Sequence, residues 1–204
     1  MAEFVEFLPG ADEPIVLADV KAHCRIDADM TLDDEFITSI VIPGVRQQAE
    51  TRTGSIIRQA RYVQRLQRFP VNGVPIAITH GLVGAVERIT YALPGGDGRG
   101  SIPTNAFEAA VIGRETLVAP IASLWPDAGG GLRAVEVTYT AGMSARDFVS
   151  RYPSVRAWML LAAGWAYENR ELFFVESRHA RGLSELPEGY QATLLDPIAI
   201  RPRF

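Results

Sequence analysis

Apolar positions change period along this chain, and the changes mark its elements. Leu17, Val20 and Cys24 fall at helical spacing, with Asp19 near the start and Arg25 at the end, which predicts a short helix over 17–25. Asp27-Ala28-Asp29-Met30 breaks it. Thr31 opens a second helix, with Asp34 three residues on in capping-box position and Phe36, Ile37, Ile40 and Val41 continuing the apolar stripe. Pro43 and Gly44 should kink this helix, because proline lacks a backbone donor and clashes with the preceding turn. The pattern resumes through Val45 to Arg52 and stops at Gly54, a good C-terminal cap.

From Ile56 to Tyr139, stretches rich in Val, Ile, Tyr and Thr alternate with Gly and Pro, which signals strands and turns. Strands are expected near Arg58–Arg68, Gly84–Tyr91, Phe107–Ile112, Thr116–Ala119 and Ala134–Tyr139. Turns fall at Pro70–Pro75, Pro94–Gly100 and Pro126–Gly131. The helical pattern returns at Pro153, a favoured first helical position, where Val155, Trp158, Met159, Ala162, Trp165, Ala166 and Asn169 form one face. Residues 171–185 read as a loop or arm, and a last short helix is expected from Pro187 to Leu195. The fold class expected is α+β, mainly an α-helical bundle of about four helices with a β-rich insertion between helices two and three. Its parts would be an N-terminal helical part (1–55), the β-rich insertion (56–140), and C-terminal helices and tail completing the helical domain (153–204).

Composition narrows the class. With 204 residues, 48% apolar and 22% charged, the chain matches an ordinary globular protein. Its longest nearly uncharged apolar stretch, Trp158 to Tyr167, is about half of what a membrane span needs. The opening MAEFVEFLPG lacks a secretory pattern, and the single cysteine allows no intrachain disulfide, so a cytoplasmic place of synthesis is expected. The net charge of −4 argues against a general nucleic-acid binder. Charge is segregated, at −7 over residues 1–57 and +3 over 58–125, which suits docking between neighbours.

No catalytic constellation emerges. His23, His80 and His179 lie far apart and match no zinc spacing, so they read as structural. An EF-hand loop starting at Asp27 would need Gly at Leu32 and Glu at Thr38, and the acidic cluster suits a helix N-terminus instead. Gly95-Gly96-Asp97-Gly98-Arg99-Gly100 lacks the Lys-Ser/Thr of a phosphate loop and reads as a hairpin tip. Ser144 misses the nucleophile-elbow pattern, and Cys24 sits on an apolar stripe. No catalytic, cofactor or metal residue is nominated. Arg58, Arg61, Arg65 and Arg68, with Tyr62 and Phe69, are the one local basic-aromatic stretch. Strand geometry puts Arg61 and Arg65 on one face and Arg58 and Arg68 on the other, which favours a solvated or subunit-facing strand over DNA contact.

Three segments together resemble the phage head–tail connector (adaptor) family, in the branch with a β-rich insertion between its helices. Leu17-Ala18-Asp19-Val20-Lys21-Ala22-His23-Cys24-Arg25-Ile26-Asp27 is similar to the family's opening L-x-x-x-K-x-H-x-R-[IV]-D. Asp33-Asp34-Glu35-Phe36-Ile37, then Glu50 and Thr53-Gly54, follow it. Val137-Thr138-Tyr139-Thr140-Ala141-Gly142 resembles a family strand ending in [FY]-x-A-G. Trp165-Ala166-Tyr167-Glu168-Asn169-Arg170-Glu171 resembles the helix end h-x-Y-x-[NH]-R-E, and Leu186-Pro187 through Leu194-Leu195-Asp196-Pro197 the closing helix and tail. Ile198 departs where the family often has Tyr, and the arm between Glu171 and Leu186 is longer.

The resemblance implies a non-enzymatic virion protein at the head–tail interface of a phage, prophage or gene transfer agent. It would form a homo-oligomeric ring, about twelvefold, beneath the portal protein and offer a platform to a stopper or tail-completion protein. DNA would pass through the lumen without specific binding, and no cofactor, metal or membrane is implied. Arg58, Arg61, Arg65, Phe173, Phe174, Arg178, Arg181, Arg201 and Arg203 are the candidate interface residues. The Glu171–Glu185 arm and the tail are candidates for segments that order on docking. Two rivals stand beside this reading. One is a small soluble α+β enzyme or ligand-binding protein with a deep pocket. The other is a DNA-binding assembly factor using the Arg58–Arg68 strand.

Overall fold

The computed structural model describes residues 2–96, 98–169 and 188–200. Among them run strands β1 (Ala2–Phe7), β2 (Ala60–Leu66), β3 (Ile76–Ala77), β4 (Val83–Ala92), β5 (Arg99–Ile102), β6 (Phe107–Ile112), β7 (Glu115–Pro120) and β8 (Val135–Ala141). The helices are α1 (Leu17–Cys24), α2 (Asp34–Phe36), α3 (Ile42–Thr53), α4 (Ala145–Arg151), α5 (Pro153–Glu168) and α6 (Glu188–Leu195). They divide into two units. One comprises the described parts of Met1–Asp12, Gly54–Ser144 and Ile200–Phe204, the other those of Glu13–Thr53 and Ala145–Ala199.

The expected mainly helical bundle is not what forms. Eight strands in two antiparallel sheets make this a β-sheet-rich α+β fold. The physical reason is that the β segment closes a core of its own. The sheets run in the orders β1-β2-β8-β4-β5 and β3-β7-β6. Alternation along β8 buries Val135, Val137, Tyr139 and Ala141, and they share an interior with Ile89, Ile102, Phe107 and Val118. Each such buried aliphatic or aromatic side chain contributes about 1.5–3 kcal/mol. Register pairs Tyr62 with Tyr139 and Arg65 with Glu136, so one face of the larger sheet is apolar and the other charged. Gln64 is buried and satisfied: its Nε2 donates to Ala77 O and its Oε1 accepts from Thr79 N–H, both at 2.9 Å.

In the helical unit, α5 packs against α1, α3 and α6. Val155, Trp158, Met159 and Ala163 on α5 are buried, as are Val20, Ile37, Val41, Val45 and Ala49. α5 begins at Pro153 as expected. The second helix begins at Asp34, without the expected Thr31 cap, because Asp34 turns to Lys21 Nζ at 2.6 Å. Ahead of Pro43 the helix widens into a π turn over Ile37–Val41, where Ile42 N–H donates to Ile37 O. Proline is accommodated by that irregularity.

Candidate functional site

The segments that carried the family resemblance are placed by folding, and their polar residues hold backbone. Two of them meet in the helical unit. Lys21, the only lysine, is 7% exposed, and its Nζ donates to Met30 O (2.7 Å) and Ala28 O (3.3 Å) besides pairing with Asp34. A buried ammonium needs such a set of acceptors to offset its desolvation. Tyr167 Oη donates to Asp33 Oδ2 at 2.7 Å, and Asn169 Nδ2 closes the end of α5 on Trp165 O. Asp19 accepts from Val16 N–H at the start of α1 and from Arg156 at 2.8 Å. Glu50 pairs with Arg46 Nη1 at 2.5 Å, and Thr53 Oγ1 donates to Ala49 O; Arg46 also reaches Glu13 at 2.8 Å.

The nominated arginines of β2 and its approach lie in the other unit. Arg61 and Arg65 share the charged face of the larger sheet, as strand alternation requires. Arg61 pairs with Glu6 on β1 and with Glu87 on β4 at 2.9 Å. Arg65 pairs with Glu3 on β1 and with Glu136 on β8 at 3.0 Å, and Glu136 also takes Arg99 of β5 at 3.2 Å. Each guanidinium thus bridges strands. Arg58 stacks over the Phe7 ring at 4.1 Å and donates to Ala11 O at 2.9 Å. The partners Glu3 and Glu6 were missed because they lie some sixty residues from β2 in sequence and, being three apart, would fall on opposite faces of a regular strand; the irregularity between Phe4 and Glu6 puts both on the charged face. Phe173, Phe174, Arg178, Arg181, Arg201 and Arg203 lie outside the described residues.

In the sheet unit, burial favours the neutral forms of two titratable side chains. Burial pushes the His80 imidazole down and the Tyr139 phenol up. Tyr139 Oη and His80 Nδ1 lie 2.9 Å apart, and the imidazole tautomer sets which of the two donates. Tyr62 packs on both rings, edge-on to His80 at 4.5 Å and stacked on Tyr139 at 6.0 Å. Burial and then Glu168 push the Cys24 thiol up, away from the thiolate a nucleophile needs. Among the described residues no group of three or more His, Cys, Asp or Glu is arranged to hold a metal, and no helix is long and apolar enough to cross a membrane. Two recesses there are open depressions, one along α3 at Gly44, Gln47, Gln48, Thr51 and Arg52, another at Arg68, Phe69, Pro70, Val71 and Val74.

No protein-family model and no curated protein matches the sequence. Solved structures do match, over 100% of this chain and 97% of theirs. One is from the neck of an empty GTA particle computed with C6 symmetry, at 18% identity and a TM-score of 0.71. Another is from the virion of a native gene transfer agent particle, at 18% and 0.74. A third is from the neck of a native GTA particle computed with C12 symmetry, at 19% and 0.68. This chain is similar in fold, end to end, to chains of gene transfer agent particles.

Proposed function

We propose that the chain is a structural subunit of a phage-like particle, a head–tail connector that works as one member of a ring in the neck. The observation that carries this reading is the full-length likeness to chains from particle necks solved with sixfold and twelvefold symmetry. The motif resemblance of the helical unit supports it independently. In this role the mechanism is assembly, with no bond made or broken. The subunit docks beneath the portal after DNA packaging, extends the DNA channel and presents a platform to a stopper or tail-completion protein. A closed ring requires a heterologous contact, repeated about twelvefold to match the portal. A net charge of −4 suits a lumen that must pass DNA without holding it. Phe173, Phe174, Arg178, Arg181, Arg201 and Arg203 would lie on segments that order against portal or neighbour.

Deletion of the gene in the strain that carries it tests the role. Electron microscopy should show DNA-filled or leaking heads lying apart from finished tails. Normal, fully joined particles would overturn the proposal.

A further inference from the structure

Among the exposed apolar side chains of the described residues, two groups sit on loops tied down by hydrogen bonds, one in each unit. In the helical unit, Leu32 is 92% exposed and Met30 54%. Their loop is fixed from within by Lys21, through Ala28 O, Met30 O and Asp34, and by Tyr167 through Asp33. Asp27, Asp29 and Glu35, which flank Leu32 in sequence, are exposed and form no ion pair among the described residues. Arg25 is the only Lys or Arg between residues 22 and 45, so the projection is acidic as well as apolar.

In the sheet unit, Val71 (68%), Val74 (52%) and Leu124 (63%) are exposed on two interlocked loops. Phe69 and Trp125 stack with centroids 5.1 Å apart, and Trp125 Nε1 donates to Val74 O at 3.0 Å. Asn72 and Ser123 hold φ of +55° and +67°, a cost accepted only where the surroundings fix the backbone. Arg68 borders the recess formed with Phe69, Pro70, Val71 and Val74, and it has no ion pair among the described residues. Asp127 follows on the second loop.

We infer that the Asp27–Asp33 projection of one copy docks in this recess of the next, with Leu32 against Val71 and Val74 and Arg68 facing the carboxylates. The inference rests on the ring reading above and names its contact. A heterologous ring needs two unlike, complementary surfaces on one chain, and these two are unlike in shape and charge. Either surface against its own copy would set acid on acid or Arg68 on Arg68. Both are already ordered, so little loop entropy is lost on docking.

The test uses particles purified from a strain whose gene carries Cys24→Ser with Leu32→Cys and Val71→Cys. Both new cysteines replace exposed side chains, so the core is untouched there. Under oxidation this variant should run on a non-reducing gel as a ladder extending beyond the dimer, while each single-cysteine variant stays monomeric. In a second arm, with Cys24 retained, Arg68→Glu should lower the yield of joined particles about tenfold, and adding Asp29→Arg should restore it to within about threefold. Particles that contain the subunit but give no ladder would overturn this contact and leave the connector role standing. So would a cross-link to a different particle protein, identified by mass spectrometry. Particles that lack the subunit altogether would overturn the connector role itself.

Discussion

A Cβ at Gly142 would lie 2.7 Å from the carbonyl carbon of Arg58, on a backbone with φ of +90°. Gly142 N–H donates to Leu82 O and Met143 N–H to Ile57 O, so the close approach is fixed from both sides. Gly142→Ala is expected to cost about 2–4 kcal/mol, read as a lowered midpoint in chemical denaturation. An unchanged midpoint would mean the approach relaxes freely. The glycine was visible in the sequence as the end of a strand motif, but the facing backbone was not. His80 supplies a pH signature. Its folded pKa is lowered, so below about pH 6.5 the unfolded chain takes a proton that the folded chain refuses. Stability from this residue is therefore full above that pH and falls as pH drops through it toward the lowered folded value. Thermal melts between about pH 7.5 and 5 should show that fall in the native protein and a flatter profile in His80→Gln. Parallel profiles would place the pH dependence elsewhere.

At the scale of elements, β1 is the telling case. It is an edge strand paired to β2 alone, and its Phe4, Val5 and Phe7 are each more than a third exposed. Much of what ties it down is electrostatic, through Glu3 to Arg65 and Glu6 to Arg61. Pairs this exposed are screened by solvent and contribute little to global stability. Arg61→Ala with Arg65→Ala should therefore leave the global melting temperature nearly unchanged while residues 2–7 exchange amide hydrogens about fivefold faster or more. Equal exchange would show that the apolar contacts of β1 suffice. The strands with a clear run of β-branched residues, β4, β6, β7 and β8, were legible to within two residues at either end. β3 and β5 were not, because two and four residues carry no period to read. The stop of α3 was legible for a local reason: Gly54 takes φ of +71°, and Thr53 Oγ1 closes the last turn on Ala49 O. An irregularity near Pro43 was expected from proline chemistry; the π turn at Ile37–Val41 that precedes it was not.

For the whole molecule, period alone located most helices and strands but misjudged the fold class. The sequence pattern does not say which segments close a core together. The turn from a helical bundle to a β-rich α+β fold comes from Val118, Ile76 and Phe107 of the smaller sheet meeting Ile89, Val135 and Val137 of the larger, contacts far apart in the chain. Arg61 and Arg65 could be placed on one strand face from alternation, whereas their carboxylate partners on three other strands, β1, β4 and β8, could not. What the sequence patterns of the helical unit did reveal, Lys21, Asp34, Tyr167 and Asn169, proves to be the framework that fixes its loops. The central claim is that copies of this fold make up a ring in a particle neck. The most direct test is a cryo-EM reconstruction of the neck in particles purified from the strain carrying this gene. The account expects ring density that accepts both units of this chain, repeated about the particle axis with twelvefold symmetry like that applied to the similar neck. A neck whose rings are fully explained by other chains, with this one absent from the purified particles, would contradict it.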